Sequence, residues 1–330
     1  MILAGVNAMF ILEPNLHERV PGVFDESGMV KALLPWTEWK KMLELQKKEK
    51  VKCFVISHEP YPEEFYRGLE KGSLLIRYGV GYDAVPVELC RELGILVANT
   101  PGTLDQSVAE HAAALMLAAA RHIVTLDREV KSGGWNPVMA RELRGQTLAL
   151  IGFGKIGRTL ASIAKFGLGM RIVAFDINEG IHSSFPDLFD EFTTSFKEAV
   201  SDADFVSLHM NLNPHTRGFL NAERLEYFKS GSVLINTARG GVVNEQDLFS
   251  ALKDGRLACA ALDVTAAEPY VPLPGADLRT LSNVIMTPHV ASNTGAANRR
   301  IAESCIENAK KYGQGKLSEL TLIPELQDLV

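Results

Sequence analysis

The chain has 330 residues, 46% of them hydrophobic and 22% charged, with a formal net charge of −6, the profile of an ordinary globular protein long enough for about two domains. That charge leaves no electrostatic footprint for nucleic acid, and the longest fully apolar run of note, Ala112 to Ala120, falls well short of the roughly 20 residues a membrane span needs. Cys53, Cys90, Cys259 and Cys305 form no Cys-x-x-Cys pair and no zinc spacing with histidine, so reduced, buried thiols and no metal site are expected.

The run Met1 to Leu12 is apolar, but it lacks a basic leader and a small-residue cleavage site and meets Glu13-Pro14. It reads as strand-forming, and the chain as a soluble, cytoplasmic protein with no membrane partner. His17 to Lys41, with Trp36 and Trp39, reads as a surface excursion, with a part in shaping substrate specificity as the alternative. Lys40 to Lys52 carries Glu44 and Glu49 among its lysines, the mark of a solvated helix face rather than a binding patch. Short β-rich runs then alternate with helical stretches: strands are expected at Cys53 to Ser57, Leu74 to Tyr78, Ile95 to Asn99, Leu148 to Ile151, Arg171 to Phe175, Phe205 to His209, Val233 to Thr237, Ala258 to Val264 and Val284 to Thr287. Helices between them imply parallel sheets in an α/β fold. Thr103 and Gln106 have capping-box spacing ahead of Ser107 to His122, a helix apolar nearly all round and therefore buried.

Between two of these strands stands Gly152-Phe-Gly154-Lys-Ile-Gly157. The first glycine allows a tight turn out of the strand, the second lets backbone approach a pyrophosphate, and the third lets helix and strand pack closely. Amides at the helix start then face the phosphates. Asp176 follows Gly157 by nineteen residues at the end of the next strand, where a carboxylate accepts from a ribose 2′-hydroxyl. A 2′-phosphate would be repelled there and would want a cation, yet Ile177, Asn178 and Glu179 supply none, so the cofactor expected is NAD. Because this fingerprint sits mid-chain, its domain begins well after residue 1. Crossing points near Asn99-Thr-Pro101-Gly102 and Thr287-Pro288-His289 give a discontinuous substrate domain, residues 1–100 and 291–330, around an NAD-binding domain, residues 101–290, with Ala297 to Tyr312 as a return helix.

Arg239, Glu268 and His289 each stand shortly after the carboxyl end of an expected strand, the edge where open α/β sheets bind ligands. Hydride transfer to or from a hydroxy acid needs a group for the alcohol proton and a cation for the carboxylate or developing oxyanion. His289 and Arg239 suit those tasks. Each also has a bland reading as a structural residue, and Glu268 before Pro269 as a turn carboxylate.

The runs Asn236-Thr-Ala-Arg239-Gly-Gly241-Val-Val-Asn, Ala261-Leu-Asp263-Val with Glu268-Pro269, and Thr287-Pro-His289-Val-Ala, in this order, resemble the D-isomer-specific 2-hydroxyacid dehydrogenase family, over about Leu74 to Arg300. The resemblance implies a Rossmann-type doubly wound parallel sheet plus a second, smaller flavodoxin-like α/β substrate domain. It implies that Arg239 holds the substrate carboxylate and polarises its C2 oxygen, with His289 as acid/base paired with Glu268, since a neighbouring carboxylate favours the imidazolium that donates in ketoacid reduction. By the same resemblance Asp263 accepts from the nicotinamide carboxamide, Thr237 and Ala238 line the cofactor, Lys155 and Ile156 contact the pyrophosphate, and Val108 is an apolar wall beside the ring. His209 and Met210 fall near the adenosine half, with a structural role for His209 as the alternative. Arg77-Tyr-Gly79-Val-Gly81 resembles the loop whose amides, here Val80 and Gly81, hold the substrate carboxylate. A homodimer through the cofactor domain, at Ser107 to Trp135, is implied as well.

Arg77 is a position that is also Arg in 3-phosphoglycerate dehydrogenases and in the related corepressor branch, but a second Arg of the phosphoglycerate kind is replaced around Ser57-His58-Glu59, where an acid would oppose phosphate. Ala84, Asn211 and Thr265 also depart from the family's usual Asn, Pro and aromatic. The sequence thus predicts an oxidoreductase interconverting a small D-2-hydroxy acid and its 2-keto acid, with a 3-phosphoglycerate-like substrate left open. The rival reading is an NAD-sensing, corepressor-like interaction protein.

Overall fold

Runs such as Leu74-Leu-Ile76 and Val233-Leu-Ile235 are continuously apolar rather than alternating, so their strands must be covered on both faces, as in parallel sheets flanked by helices. A computed structural model, which describes residues 8–330, shows this arrangement twice, in two units divided at Leu104 and Asn293.

The unit formed by residues up to Leu104 with Asn293–Val330 holds strands β1 (Phe10–Leu12), β2 (Val30–Leu33), β3 (Cys53–Ile56), β4 (Leu74–Arg77) and β5 (Leu96–Ala98). Their order is β2-β1-β3-β4-β5, all pairs parallel, which is the flavodoxin-like order. Of the strand expected within Met1 to Leu12, residues 1–7 lie outside the described residues. The helix Gly295–Gly313 closes this sheet, with Tyr312 donating to the Gly72 carbonyl at 2.6 Å and Tyr78 to the Asn298 carbonyl at 3.0 Å.

The segment His17 to Lys41 is no surface excursion. Phe24 is wholly buried, its ring 6.1 Å from that of Phe10 and 6.3 Å from that of Tyr78, and the segment supplies β2 itself. Its charged residues alternate with apolar ones that face the core, so mean polarity hides them.

The unit Asp105–Ser292 holds β6 (Thr147–Ile151), β7 (Arg171–Phe175), β8 (Glu191–Thr193), β9 (Phe205–Leu208), β10 (Ser232–Asn236), β11 (Leu257–Leu262) and β12 (Val284–Met286). The parallel order β12-β11-β10-β9-β6-β7-β8 reverses direction between β6 and β9, the switch point of a doubly wound sheet, where a ligand crevice forms. The helix Asp105–Ala120 lies in the core with Ala109, Ala112, Leu115 and Met116 buried. No capping box forms at its start: the Thr103 hydroxyl donates back to the Thr100 carbonyl at 2.7 Å, and Gln106 turns to Glu110 at 2.7 Å. Cys53, Cys90 and Cys305 are buried, Cys259 is half-buried, and all four are unpaired. Among the described residues no helix is long and apolar enough to cross a membrane and no side-chain cluster could hold a metal ion.

Candidate active site

At the switch point, β6 leads into Gly152 with φ +97°, a left-handed conformation that costs glycine nothing. A Cβ there would press on the His209 and Met210 backbone at 2.9 to 3.1 Å, and one at Gly157 would stand 2.5 Å from the Gly152 carbonyl oxygen. Gly154 differs: a Cβ on it would meet nothing within 4 Å. Two of the glycines therefore let protein pack on protein, whereas the exposed middle one leaves space above the first turn of the helix Lys155–Ser162, whose amides begin at Lys155 and Ile156. Asp176, just past β7, braces this loop by accepting from the Phe153 amide at 2.8 Å, and from the Asn178 amide at 3.0 Å. His209 bonds Ser207 at 2.9 Å, and burial pushes its imidazole down to about 4, so it is neutral at physiological pH. Met210 and Ala238 pack against the neighbouring apolar cluster.

The three chemistry-bearing residues collect beyond β10, β11 and β12. His289 Nδ1 lies 2.6 Å from Glu268 Oε2, while Glu268 Oε1 accepts from the Thr265 amide at 3.2 Å. The pair is about one-third exposed, 37% for His289 and 31% for Glu268, open enough to meet a ligand. Gly240, beside Arg239, joins them: a Cβ on it would overlap the Thr265 carbonyl and lie 2.5 Å from the Ala266 nitrogen. Only glycine lets the Arg239 turn rest on the loop that carries Glu268. Asn236 shapes that turn, donating to the Arg239 carbonyl at 3.0 Å and accepting from the Ala238 amide at 3.0 Å. Buried Glu245 accepts from Ala266 at 2.6 Å and anchors the opposite side of the loop.

Asp263 is buried behind His289. Its Oδ1 accepts from the Thr287 hydroxyl at 2.5 Å and the Val290 amide at 2.9 Å, and its Oδ2 from the Ala291 amide at 2.8 Å. Burial alone would raise this carboxyl, but bonds from His111, Thr287 and those two amides outweigh it and hold it below the usual carboxylate range. The Asp263 carbonyl takes the His289 amide at 2.8 Å, and His289 itself sits at φ +51°, a region non-glycine residues seldom occupy.

In the other unit, β4 leads into Arg77-Tyr-Gly79-Val-Gly81. The Gly79 carbonyl accepts from Thr100 N at 3.0 Å and the Val80 carbonyl from Asn99 Nδ2 at 2.7 Å. Because N–H and C=O of one trans peptide point oppositely, the Val80 and Gly81 amides point away from Asn99 and Thr100. The Arg77 guanidinium donates to the Tyr78 carbonyl and braces the loop. At the ends of β1 and β3, buried Glu13 accepts from Ser57 N at 2.6 Å and the Tyr61 hydroxyl at 3.0 Å, and burial pushes its carboxyl up.

Residues 113–291 match the family described as D-isomer specific 2-hydroxyacid dehydrogenase, NAD binding domain. The chain is 36% identical over 270 residues to a glyoxylate reductase of Thermococcus litoralis, covering 77% of this chain and 78% of that one. It is 39% identical over 241 residues to a hydroxypyruvate reductase of Thermotoga maritima, covering 72% and 77%. The chain belongs to the D-isomer-specific 2-hydroxyacid dehydrogenases. A D-lactate dehydrogenase of Aquifex aeolicus, solved with NAD and lactic acid, matches this dehydrogenase with a TM-score of 0.79 at 26% identity, covering 94% of this chain and 96% of that one. The protein is an NAD-dependent oxidoreductase.

The dehydrogenase's own residues fit that cofactor. Open space stands over Gly154, Asp176 follows β7 with no cation in the three residues after it, and among the described residues the buried Thr237 hydroxyl finds no partner, an orphan a bound ligand would satisfy. Val108 is buried on the helix Asp105–Ala120, one turn before His111. Sequence reading missed three contributors. His111, Glu245 and the steric demand of Gly240 all act through partners distant in sequence, and only Gly240, inside the Arg239 motif, carried a local signal.

Proposed function

We propose that this dehydrogenase reduces a small, unphosphorylated 2-keto acid of the glyoxylate or hydroxypyruvate kind. The 2.6 Å pairing of His289 with Glu268 carries the reading, because a carboxylate that fixes the imidazole and favours its protonated form is what a general acid beside a carbonyl oxygen requires. His289 gives its proton to the C2 oxygen, and Glu268 offsets the imidazolium charge. Arg239 binds the substrate carboxylate and polarises the C2 oxygen, and the Val80 and Gly81 amides hold that carboxylate, with Arg77 bracing their loop. Bound NADH would supply the hydride for C2. Gly154, Lys155 and Ile156 would hold the pyrophosphate on the turn that Gly152 and Gly157 let pack, Asp176 the ribose, His209 and Met210 the adenosine half, and Val108, Thr237, Ala238 and Asp263 the nicotinamide half.

Charge at the edge of the first sheet supports an unphosphorylated substrate. Glu59 stands two residues after Ser57, whose amide donates to the Glu13 carboxyl, and no Lys or Arg lies between Ser57 and Glu59, where a phosphate would want cations. A panel of 2-keto acids with NADH, followed by NADH absorbance, tests this. Saturable turnover of glyoxylate or hydroxypyruvate, with phosphohydroxypyruvate a poor substrate, is expected; preference for the phosphorylated acid overturns it. No observation favours the NAD-sensing alternative.

The same reading includes a homodimer. Leu117, Ile123, Val130, Trp135, Val138 and Met139 are exposed on and just after the helices Asp105–Ala120 and Ile123–Lys131, an apolar patch that a second copy would cover. Light scattering checks it: a monomer at working concentration refutes it.

A further inference from the structure

His111 projects from the helix Asp105–Ala120 toward the turn behind His289. Its Nε2 lies 3.1 Å from Thr287 Oγ1 and 3.4 Å from Asp263 Oδ1. The Thr287 hydroxyl has one proton, and its oxygen stands 2.5 Å from Asp263 Oδ1. An ionised carboxylate only accepts, so that proton belongs to the bond with Asp263. The Thr287 oxygen then has only lone pairs to offer His111. Nε2 must therefore carry the hydrogen, which assigns the tautomer.

With this bond His111 joins Thr287, Val290 and Ala291 in tying the loop 287–291 to one buried carboxylate. The loop is the one that holds His289 at φ +51°. Those four donors reach Asp263 from a helix and from both sides of His289, so losing one lets the carboxylate swing and the turn relax.

We infer that His111 is a positioning residue for hydride transfer: by donating from Nε2 to the Thr287–Asp263 pair, it fixes the turn that aims His289. The inference rests on His289 being the proton donor of the proposed reaction.

The test compares the wild-type enzyme with His111→Phe, His111→Gln and Thr287→Val, using the keto acid the panel accepts and NADH either unlabelled or deuterated at the transferred position. Misplacing a reacting group by about 1 Å can cost roughly 100-fold. His111→Phe is expected to lower kcat at least about tenfold, to leave KM for the keto acid nearly unchanged, and to raise the isotope effect on kcat. Gln can place an amide nitrogen where Nε2 stands, so His111→Gln is expected to recover most of kcat and the wild-type isotope effect. Thr287→Val keeps the shape, removes the hydroxyl, and is expected to repeat the Phe pattern, which keeps the test decisive if His111→Phe does not fold. Wild-type kcat in His111→Phe or Thr287→Val, or a Gln variant as slow as Phe, overturns the inference. Should His289→Ala also turn over at the wild-type rate, the functional reading itself fails; should it be inactive while His111→Phe is not, only the positioning role fails.

Discussion

Gly240→Ala asks for the smallest change with a large expected effect. The added methyl overlaps the Thr265 carbonyl, and even the Ala266 nitrogen, 2.5 Å away, must retreat to the 3.4 Å at which ordinary contact begins, a shift of about 1 Å at a site where that much misplacement costs roughly 100-fold in rate. Thr265 and Ala266 cannot move alone. The Thr265 amide holds Glu268 Oε1, and Ala266 is tied to Glu245, so the displacement passes to the His289–Glu268 pair or breaks it. Two decades in kcat correspond to about 2.7 kcal/mol of lost transition-state stabilisation. Overpacking a well-filled site also costs about 1–3 kcal/mol of stability, so thermal melting must show the variant folded before rates are compared. Fluorescence titration should find NADH affinity little changed, because Gly152–Gly157 follow a different strand. A folded Gly240→Ala enzyme with wild-type kcat would refute the steric argument and, with it, the claim that the Arg239 and Glu268 loops are set by contact.

His289→Ala is expected to cut kcat by roughly 10²- to 10⁴-fold, the usual worth of a general acid, with NADH titration showing the cofactor still bound. Asp176→Ala should weaken discrimination against NADPH, read as the ratio of kcat/KM for the two cofactors; an unchanged ratio removes the ribose role. Glu13→Gln should stabilise the protein at pH 7. Burial favours the protonated form of Glu13, so its ionisation destabilises the fold as pH rises above the unfolded value of about 4.5, whereas Gln still accepts from Ser57 and Tyr61 without that charge. Melting temperatures across pH 4 to 8 should favour the variant at the upper end and converge at the lower, and a constant gap would contradict the linkage.

Legibility followed how local each requirement was. The glycine fingerprint could be read because its steric demands fall within it, as when a Cβ at Gly157 would crowd Gly152, and because Arg171–Phe175 is an unbroken buried strand. β2 and β8 escaped notice since both are short and carry exposed charge, at Lys31 and Glu191. The capping-box spacing at Thr103 failed because the helix begins at Asp105, one residue too late to make Thr103 its N-cap. Phe24 looked like part of a polar excursion until Phe10 and Tyr78 closed around it. His111 was unreadable for a different reason. A lone histidine on an alanine-rich helix has no signature, and its partners, Asp263 and Thr287, lie more than 150 residues away.

That distance explains why Asp263 matters more than a single cofactor contact would suggest. Holding a non-glycine residue in the left-handed region costs roughly 1–2 kcal/mol, and His289 bears that cost at φ +51°. Hydrogen bonds to a charged acceptor contribute about 1.5–3 kcal/mol each, and Asp263 accepts two amides immediately after His289 while its carbonyl takes the His289 amide itself. The carboxylate therefore more than offsets the strain, but only while it stays ionised and in place. Thr287 and His111 meet the Oδ1 that also accepts the Val290 amide, which opposes any swing of the group. A neutral or mobile side chain at this position would release the turn, so the aim of His289, the proposed proton donor, is set by a charge buried one layer beneath it.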